Sequence, residues 1–407
     1  MADNDGPIVI IGGGHAGAQL CAGLAEAGLG ARVHLVCDEP ELPYHRPPLS
    51  KAYLKQPEQA LQAHRADDWY RQAGITLHRG DRAVAIDRAA QRVRLASGRE
   101  LPYARLVLAT GSHARLLPQL PAGLSNVLVL RSAADADRLR SRLADAQHLT
   151  VLGGGFIGLE VAASARALGK DVTVLEALPR LLMRSLSPEL AEHVLATHRA
   201  AGIDVRTGVA AGGFEVDGDR LTALSVDGQR MPVDVLLLGI GATPRHDLAS
   251  DAGIACDNGI IVDARLRTSD PRVLAIGDCA SFPDPRDPSR RLRLESVQNA
   301  NDQARAAVAT LLGRDEPYGA LPWFWSEQGA MRLQMAGLVP AEGARHRRPG
   351  ADPASFSILH YAGDRLVCVE SVNAPMDHLT ARKLLEAGKS PTPDAACDPA
   401  TALKAFL

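Results

Sequence analysis

The sequence predicts an α/β protein: two parallel-sheet domains of the βαβ type, followed by a smaller α+β domain at the C-terminus. Two observations carry this. Two glycine fingerprints, Gly12-Gly13-Gly14-His15-Ala16-Gly17 and Gly153-Gly154-Gly155-Phe156-Ile157-Gly158, each close an apolar strand and open a helix. The length, 407 residues, suits two or three domains with separate cores. One such fingerprint alone is weak evidence, because glycine-rich strand ends also occur where a turn needs positive φ or close packing. Two in matching context are strong.

In the first unit, Pro7-Ile8-Val9-Ile10-Ile11 carries no charge and is mostly β-branched, as expected of a parallel strand covered on both faces. It ends at Gly12. The first glycine of the fingerprint permits a tight turn, the second lets the backbone approach a pyrophosphate, and the third lets helix and strand pack closely. The helix is expected over residues 15–27, with Leu20, Leu24 and Ala27 at helical spacing and Gly28 to end it. A second strand, Arg32-Val33-His34-Leu35-Val36, leads into Asp38 and Glu39, where a carboxylate can hold a ribose hydroxyl. The second unit repeats the pattern with a strand at 149–152, a helix at 156–168, Gly169, a strand at 171–175 and then Glu176. Further apolar strands end in Ala109-Thr110-Gly111, in Gly277-Asp278 and, after 236–241, in Ala242-Thr243-Pro244. The region beyond Leu321 reads as short strands at 332–335, 357–360 and 365–370, then a helix at 376–387.

Glycine, 37 of 407 residues, exceeds its average share of about 7%, which suits a fold that meets cofactors with bare backbone. The net charge of −2 gives no support to a nucleic-acid partner or a general membrane attraction. No apolar segment reaches about 18 residues, so no membrane-spanning helix is expected. Met1-Ala2-Asp3-Asn4-Asp5 lacks the basic and apolar regions of a signal peptide, so the expected location is cytoplasmic. The six cysteines are scattered and include no CxxC pair. That removes a local redox disulfide and the clustered ligands of a zinc site or an iron–sulfur cluster, and no metal is expected.

The strings Pro43-Tyr44-His45-Arg46-Pro47-Pro48-Leu49-Ser50-Lys51, Arg293-Leu294-Glu295-Ser296-Val297-Gln298-Asn299 and Pro322-Trp323-Phe324-Trp325-Ser326-Glu327-Gln328, with Gly158-Leu159-Glu160, carry a family resemblance. They resemble the FAD-dependent ferredoxin reductases of oxygenase systems, the putidaredoxin reductase and aromatic-ring dioxygenase reductase family of two-dinucleotide flavoproteins. The resemblance implies a glutathione-reductase-like arrangement of two Rossmann-like domains. The FAD-binding domain is then discontinuous, 1–112 and 245–320, the NADH-binding domain covers 113–244, and the C-terminal domain covers 321–407.

Carried onto this chain, the resemblance implies FAD contacts at Gly12, Gly14, Ala16 and Gly17 for the pyrophosphate and at Asp38 for the ribose. It adds Arg46, Lys51, Ala83, Arg131, Asp278 and Val297. For NADH it implies Gly153, Gly155, Ile157, Gly158 and Glu160, with Gly239 and Gly241 letting the backbone approach the cofactor. Glu176 should accept from the adenosine 2′-hydroxyl and repel a 2′-phosphate, which favours NADH, while the nearby Arg180 and Arg184 are the side chains able to receive that phosphate. Lys51, Glu160 and Trp325 are the expected catalytic residues. Lys51 and Glu160 should pair beside the flavin, and Trp325 is expected to cover it. The resemblance further implies that hydride passes from NADH to FAD and that a small [2Fe–2S] ferredoxin collects the electrons. Candidate docking charges are Arg286, Arg290, Arg291 and Arg293, and separately Arg345, Arg347 and Arg348.

Related flavoproteins share parts of this motif order. A thiol–disulfide reductase needs a cysteine pair that this chain lacks. An NADH oxidase or peroxidase would carry a redox cysteine near the position of Ser50. An NADH-sensing flavoprotein of the apoptosis-inducing-factor type, or a rubredoxin reductase, shares parts of the pattern.

Overall fold

The computed structural model describes residues 6–407. Residues 1–5, read above for the absence of a signal peptide, lie outside them. The chain divides into two compact units: residues 6–46, Leu61–His113 and Ala242–Ala320 form the first, and Pro47–Ala60, Ala114–Gly241 and Leu321–Leu407 form the second.

The first unit is organised by a five-stranded parallel sheet in the order Val273–Ala275, Arg105–Leu108, Ile8–Ile11, Val33–Cys37, Thr76–Arg79. All four residues of the central strand Ile8–Ile11 are buried, as its uncharged sequence requires of a strand covered on both faces. The helix His15–Glu26 follows it directly and turns Leu20, Cys21 and Leu24 inward. A small antiparallel sheet, Ala83–Asp87, Arg92–Leu95 and Glu100–Pro102, completes the unit with the helix Val297–Leu311.

The second unit contains a matching parallel sheet: Asp204–Thr207, Asp171–Glu176, His148–Leu152, Val235–Leu238, Val127–Leu128. The two central pairings correspond residue for residue. Gly12 N–H donates to the Val36 carbonyl and Gly153 N–H to that of Leu175, both at 2.8 Å. Cys37 therefore occupies the position that Glu176 holds in the second motif. The helix Ala133–Asp145 begins with a capping box, in which Ser132 accepts from the Asp135 N–H and Asp135 accepts from that of Ser132.

The unit also holds the C-terminal antiparallel sheet, ordered Trp323–Gln328, Met331–Gly337, Arg365–Val372, Phe356–Ala362, Ala344–Pro349, with the helix Pro375–Glu386. Each expected C-terminal strand is present and longer by one or two residues, the first two at both ends and the third at its C-terminal end alone. Two strands were not expected there. Ala344–Pro349 is an edge strand with three arginines and no apolar alternation, and Trp323–Gln328 continues through polar Ser326, Glu327 and Gln328. Among the described residues no helix is long and apolar enough to cross a membrane.

Candidate functional site

Both glycine turns have the geometry that a pyrophosphate requires. Gly12 adopts φ +117° and Gly153 φ +107°. A Cβ at Gly12 would lie 2.1 Å from the Ala109 carbonyl oxygen, and one at Gly17 would lie 2.0 Å from that of Gly12. In the second turn, a Cβ at Gly153 would meet the Gly239 oxygen at 2.5 Å and one at Gly158 the Gly153 oxygen at 2.6 Å. These positions are closed to any other residue by protein backbone. Gly14 differs: a Cβ there meets nothing within 4 Å, so its backbone borders open space. Gly14 and Gly155 are the N-cap residues of their helices, and neither cap supplies a side-chain hydrogen bond. The first-turn N–H groups are thus left for an anion, and the residues fit a pyrophosphate at each turn.

The acids at the strand ends behave differently in the two motifs. Glu176 accepts from the Gly154 N–H and from the Leu178 N–H, both at 2.7 Å, so its carboxylate is fixed against the turn. Cys37, its counterpart, is buried, and burial pushes its thiol up to about 12, with Glu39 adding to the effect. Asp38 pairs with Arg245 at 3.1 Å. Glu39 accepts from Tyr44 at 2.5 Å and pairs with Arg46 at 2.6 Å, so Arg46 is oriented by the neighbouring acid. Arg180 donates to the carbonyls of Leu186 and Met183 and so braces its own loop instead of reaching out as a phosphate ligand.

The other positions implied by the resemblance fall as follows. Ala83 opens a strand and is buried. Arg131 directly precedes the capping box, and its N–H donates to Asp135. Asp278 lies in the short helical turn Gly277–Cys279 and accepts from Ser112 at 3.3 Å. Val297 begins a helix capped by Ser296. Ala16 and Gly17 sit in the first turn of the first glycine helix, and both are buried. Gly239 packs its backbone against the Gly153–Gly158 turn, whereas Gly241 has φ +102° and open surroundings.

Sequence reasoning did not single out Gln303, whose Oε1 accepts from the Gly277 N–H at 2.7 Å while its buried Nε2 has no partner among the described residues. A lone glutamine on a helix carries no signal in the sequence. Nor did it single out a cluster of three imidazoles, His15, His45 and His64, whose ring nitrogens lie within 4.8 Å of one another. Burial lowers the His64 pKa to about 4, with the charges of His45 and Arg65 contributing.

The ion pair expected between Lys51 and Glu160 is present. Lys51 Nζ lies 2.5 Å from Glu160 Oε2, with the two side chains 18% and 5% exposed. Glu160 is on the first turn and a half of the helix Phe156–Ala167. Its carboxylate also accepts from Ser50 Oγ on Oε2 at 2.5 Å and from Ser326 Oγ on Oε1 at 2.7 Å. Ser164, one turn further along the same helix, donates to the Ser50 carbonyl and fixes the Pro-Pro-Leu-Ser-Lys turn to it. Beside this network Ile157 leaves an apolar side chain 48% exposed at the start of the helix. Trp325 is half-buried, its ring 5.5 Å from that of Trp323, over which Arg382 lies at 4.4 Å.

The two arginine clusters are largely engaged internally. Arg286 pairs with Asp284 and Arg293 with Glu295, while Arg291 donates to the Val262 carbonyl. Arg348 is buried and donates to Asp377 and to three carbonyls at 396, 398 and 401, so it belongs to the core of its sheet and not to a surface patch. Arg347 lies over Phe356 at 3.8 Å and reaches Glu189 at 3.6 Å.

Comparison with known proteins places this geometry. The pyridine nucleotide-disulphide oxidoreductase family matches residues 6–304, and the reductase C-terminal family matches 323–407. Rhodocoxin reductase of Rhodococcus erythropolis is 44% identical over 393 residues, 96% of this chain and 92% of that protein. Putidaredoxin reductase of Pseudomonas putida is 39% identical over 392 residues, 95% and 92% of the two. Among solved structures, the ferredoxin reductase for the CYP199A2 system from Rhodopseudomonas palustris matches with TM-score 0.95 at 42% identity, over 99% of this chain and 100% of that one. The covalent putidaredoxin reductase–putidaredoxin complex matches with TM-score 0.93 at 38% identity, over 99% and 98%. The chain belongs to the pyridine nucleotide-disulphide oxidoreductase family and, within it, to the FAD- and NAD(H)-binding ferredoxin reductases of oxygenase systems.

Proposed function

We propose that the protein takes hydride from NADH and passes the electrons one at a time to a small [2Fe–2S] ferredoxin that feeds an oxygenase, a cytochrome P450 or a Rieske dioxygenase. The observation that carries this reading is the pair that the half-buried Lys51 makes with the buried Glu160 near the start of the second glycine helix, within a chain similar along nearly its full length to ferredoxin reductases. When bound, FAD supplies a centre that accepts a hydride and gives up its electrons singly. The protein's own residues supply binding, orientation and electrostatics.

The first glycine turn, with Gly12, Gly14, Ala16 and Gly17, holds the FAD pyrophosphate. Asp38, Arg46, Lys51, Ala83, Arg131, Asp278 and Val297 complete its contacts. The second turn, with Gly153, Gly155 and Gly158, holds that of NADH. Glu176 meets the adenosine ribose. Its carboxylate is already locked by two backbone N–H groups, and Arg180 is occupied by its loop, which supports NADH over NADPH. Ile157 offers an apolar contact to the nicotinamide ring, and Glu160 accepts from the carboxamide. Lys51 neutralises Glu160 so that the pair adds no net charge to the site. Trp325 covers the isoalloxazine. A cytoplasmic location agrees with six scattered cysteines that include no CxxC pair.

Steady-state reduction of a [2Fe–2S] ferredoxin with NADH and with NADPH tests the reading. A kcat/KM at least tenfold higher with NADH is expected. Preference for NADPH would overturn the role given to Glu176, and absence of ferredoxin reduction with both nucleotides would overturn the acceptor.

A further inference from the structure

The Trp323–Gln328 strand alternates its side chains, and the even-numbered ones make a row of contacts with the nucleotide-domain helices. The Phe324 ring lies 4.6 Å from that of Phe156, the first residue of the second glycine helix. Ser326 Oγ reaches Glu160 Oε1 at 2.7 Å, and Glu160 is four residues from Phe156 on the same helix face. Gln328 Nε2 lies 3.2 Å from Ser326 Oγ, and Gln328 Oε1 lies 2.7 Å from His198 Nε2. Ser326, Gln328, His198 and Glu160 are all buried.

We infer that His198, Gln328 and Ser326 form a one-directional hydrogen-bond chain that sets the orientation of the Glu160 carboxylate, making them positioning residues for hydride transfer. The inference rests on the reading that Glu160 receives the nicotinamide carboxamide. The direction follows from the anionic end. A hydrogen bond to an ionised carboxylate is the strongest on offer to the Ser326 hydroxyl, so its proton goes to Glu160. The Ser326 oxygen then needs a donor, which fixes the Gln328 amide with its nitrogen toward Ser326 and its oxygen toward His198. His198 must therefore carry its proton on Nε2. Burial lowers the His198 pKa, against the opposing hydrogen bond to Gln328, which favours the ring with that single proton.

Such a chain has work to do. The last torsion of a glutamate is broad and weakly restrained on its own. Lys51 and Ser50 both bind Oε2, and Ser326 binds Oε1, so the carboxylate plane is held from both of its oxygens. Ser326 occupies one of the two lone-pair directions of Oε1 and leaves the other for a carboxamide N–H. Misplacement of a reacting group by about 1 Å can cost up to a hundredfold in rate.

The test is single-turnover reduction of the FAD-loaded protein by NADH under anaerobic conditions, in the wild type, Ser326→Ala, Gln328→Met and the double variant. Ser326→Ala should slow reduction about tenfold with the NADH dissociation constant changed less than threefold. Gln328→Met keeps side-chain length without the amide and should slow it severalfold, and Ser326→Thr, which keeps the hydroxyl, should recover most of the rate. The double variant should be no slower than Ser326→Ala, because Gln328 acts only through Ser326. Wild-type rates in Ser326→Ala, or additive losses in the double variant, would overturn the chain. If the wild type itself is not reduced by NADH, the underlying reading falls and the inference with it.

Discussion

Lys51 and Glu160 show what one residue pair contributes. Removing Lys51 leaves a carboxylate that is 5% exposed with two hydroxyls and no counter-charge. Breaking a buried pair from one side costs roughly 3–5 kcal/mol. Lys51→Met should therefore lower unfolding free energy by about 3 kcal/mol in a denaturant titration, and Lys51→Met/Glu160→Gln should recover part of it. Glu176→Ala removes both the ribose acceptor and the brace on the glycine turn. Loss of a hydrogen bond to a charged group is worth about 1.5–3 kcal/mol, so KM for NADH should rise tenfold or more in steady-state assays. Histidines give a pH signature. His64 and His378 are lowered to about 4, in both cases chiefly by burial, against 6.5 unfolded. The unfolded state then binds more protons below pH 6.5, so stability is full above that value and falls as pH drops toward 4. Equilibrium unfolding at pH 7 and pH 5 should show this loss, and His64→Asn should reduce it. At this scale the sequence was legible where a motif carried the residue, as at Lys51, Glu160 and Glu176. Gln303 and His64 lie in no motif and gave no signal, while Ser326 lies in a motif but draws its role from Glu160, far away in the chain.

Elements were legible where burial on both faces left its mark on composition. The strands Ile8–Ile11 and His148–Leu152 and the glycine helices fall within one or two residues of expectation. The edge strand Ala344–Pro349 was not foreseen, since an edge has one neighbour and tolerates exposed arginines in place of an apolar alternation. The glycine turns make a sharper prediction. Gly14 has a φ of −79° and a Cβ there meets nothing, so Gly14→Ala should leave the apoprotein as stable as the wild type within about 1 kcal/mol. FAD retention should nonetheless weaken at least tenfold in a fluorescence titration, because the added methyl enters the space left for the pyrophosphate. Gly17→Ala drives a Cβ into backbone at 2.0 Å and should destabilise the apoprotein itself. Equal effects of the two substitutions on apoprotein stability would contradict this division of roles.

Across the whole molecule, the two parallel sheets repeat one solution: an apolar strand, a glycine turn closed by backbone, an uncapped helix and a second parallel strand. Duplication of this pattern was visible in the sequence because each copy keeps its spacing. The C-terminal sheet was visible only in outline, as its edge strand Ala344–Pro349 is arginine-rich and carries no apolar alternation. The account's central claim is that electrons enter from NADH and leave singly to a [2Fe–2S] ferredoxin. Anaerobic stopped-flow mixing of the FAD-loaded protein with NADH, then with oxidised ferredoxin, tests it most directly. The account predicts rapid loss of flavin absorbance followed by ferredoxin reduction at two equivalents per NADH. Loss of flavin absorbance with no transfer to ferredoxin would contradict it.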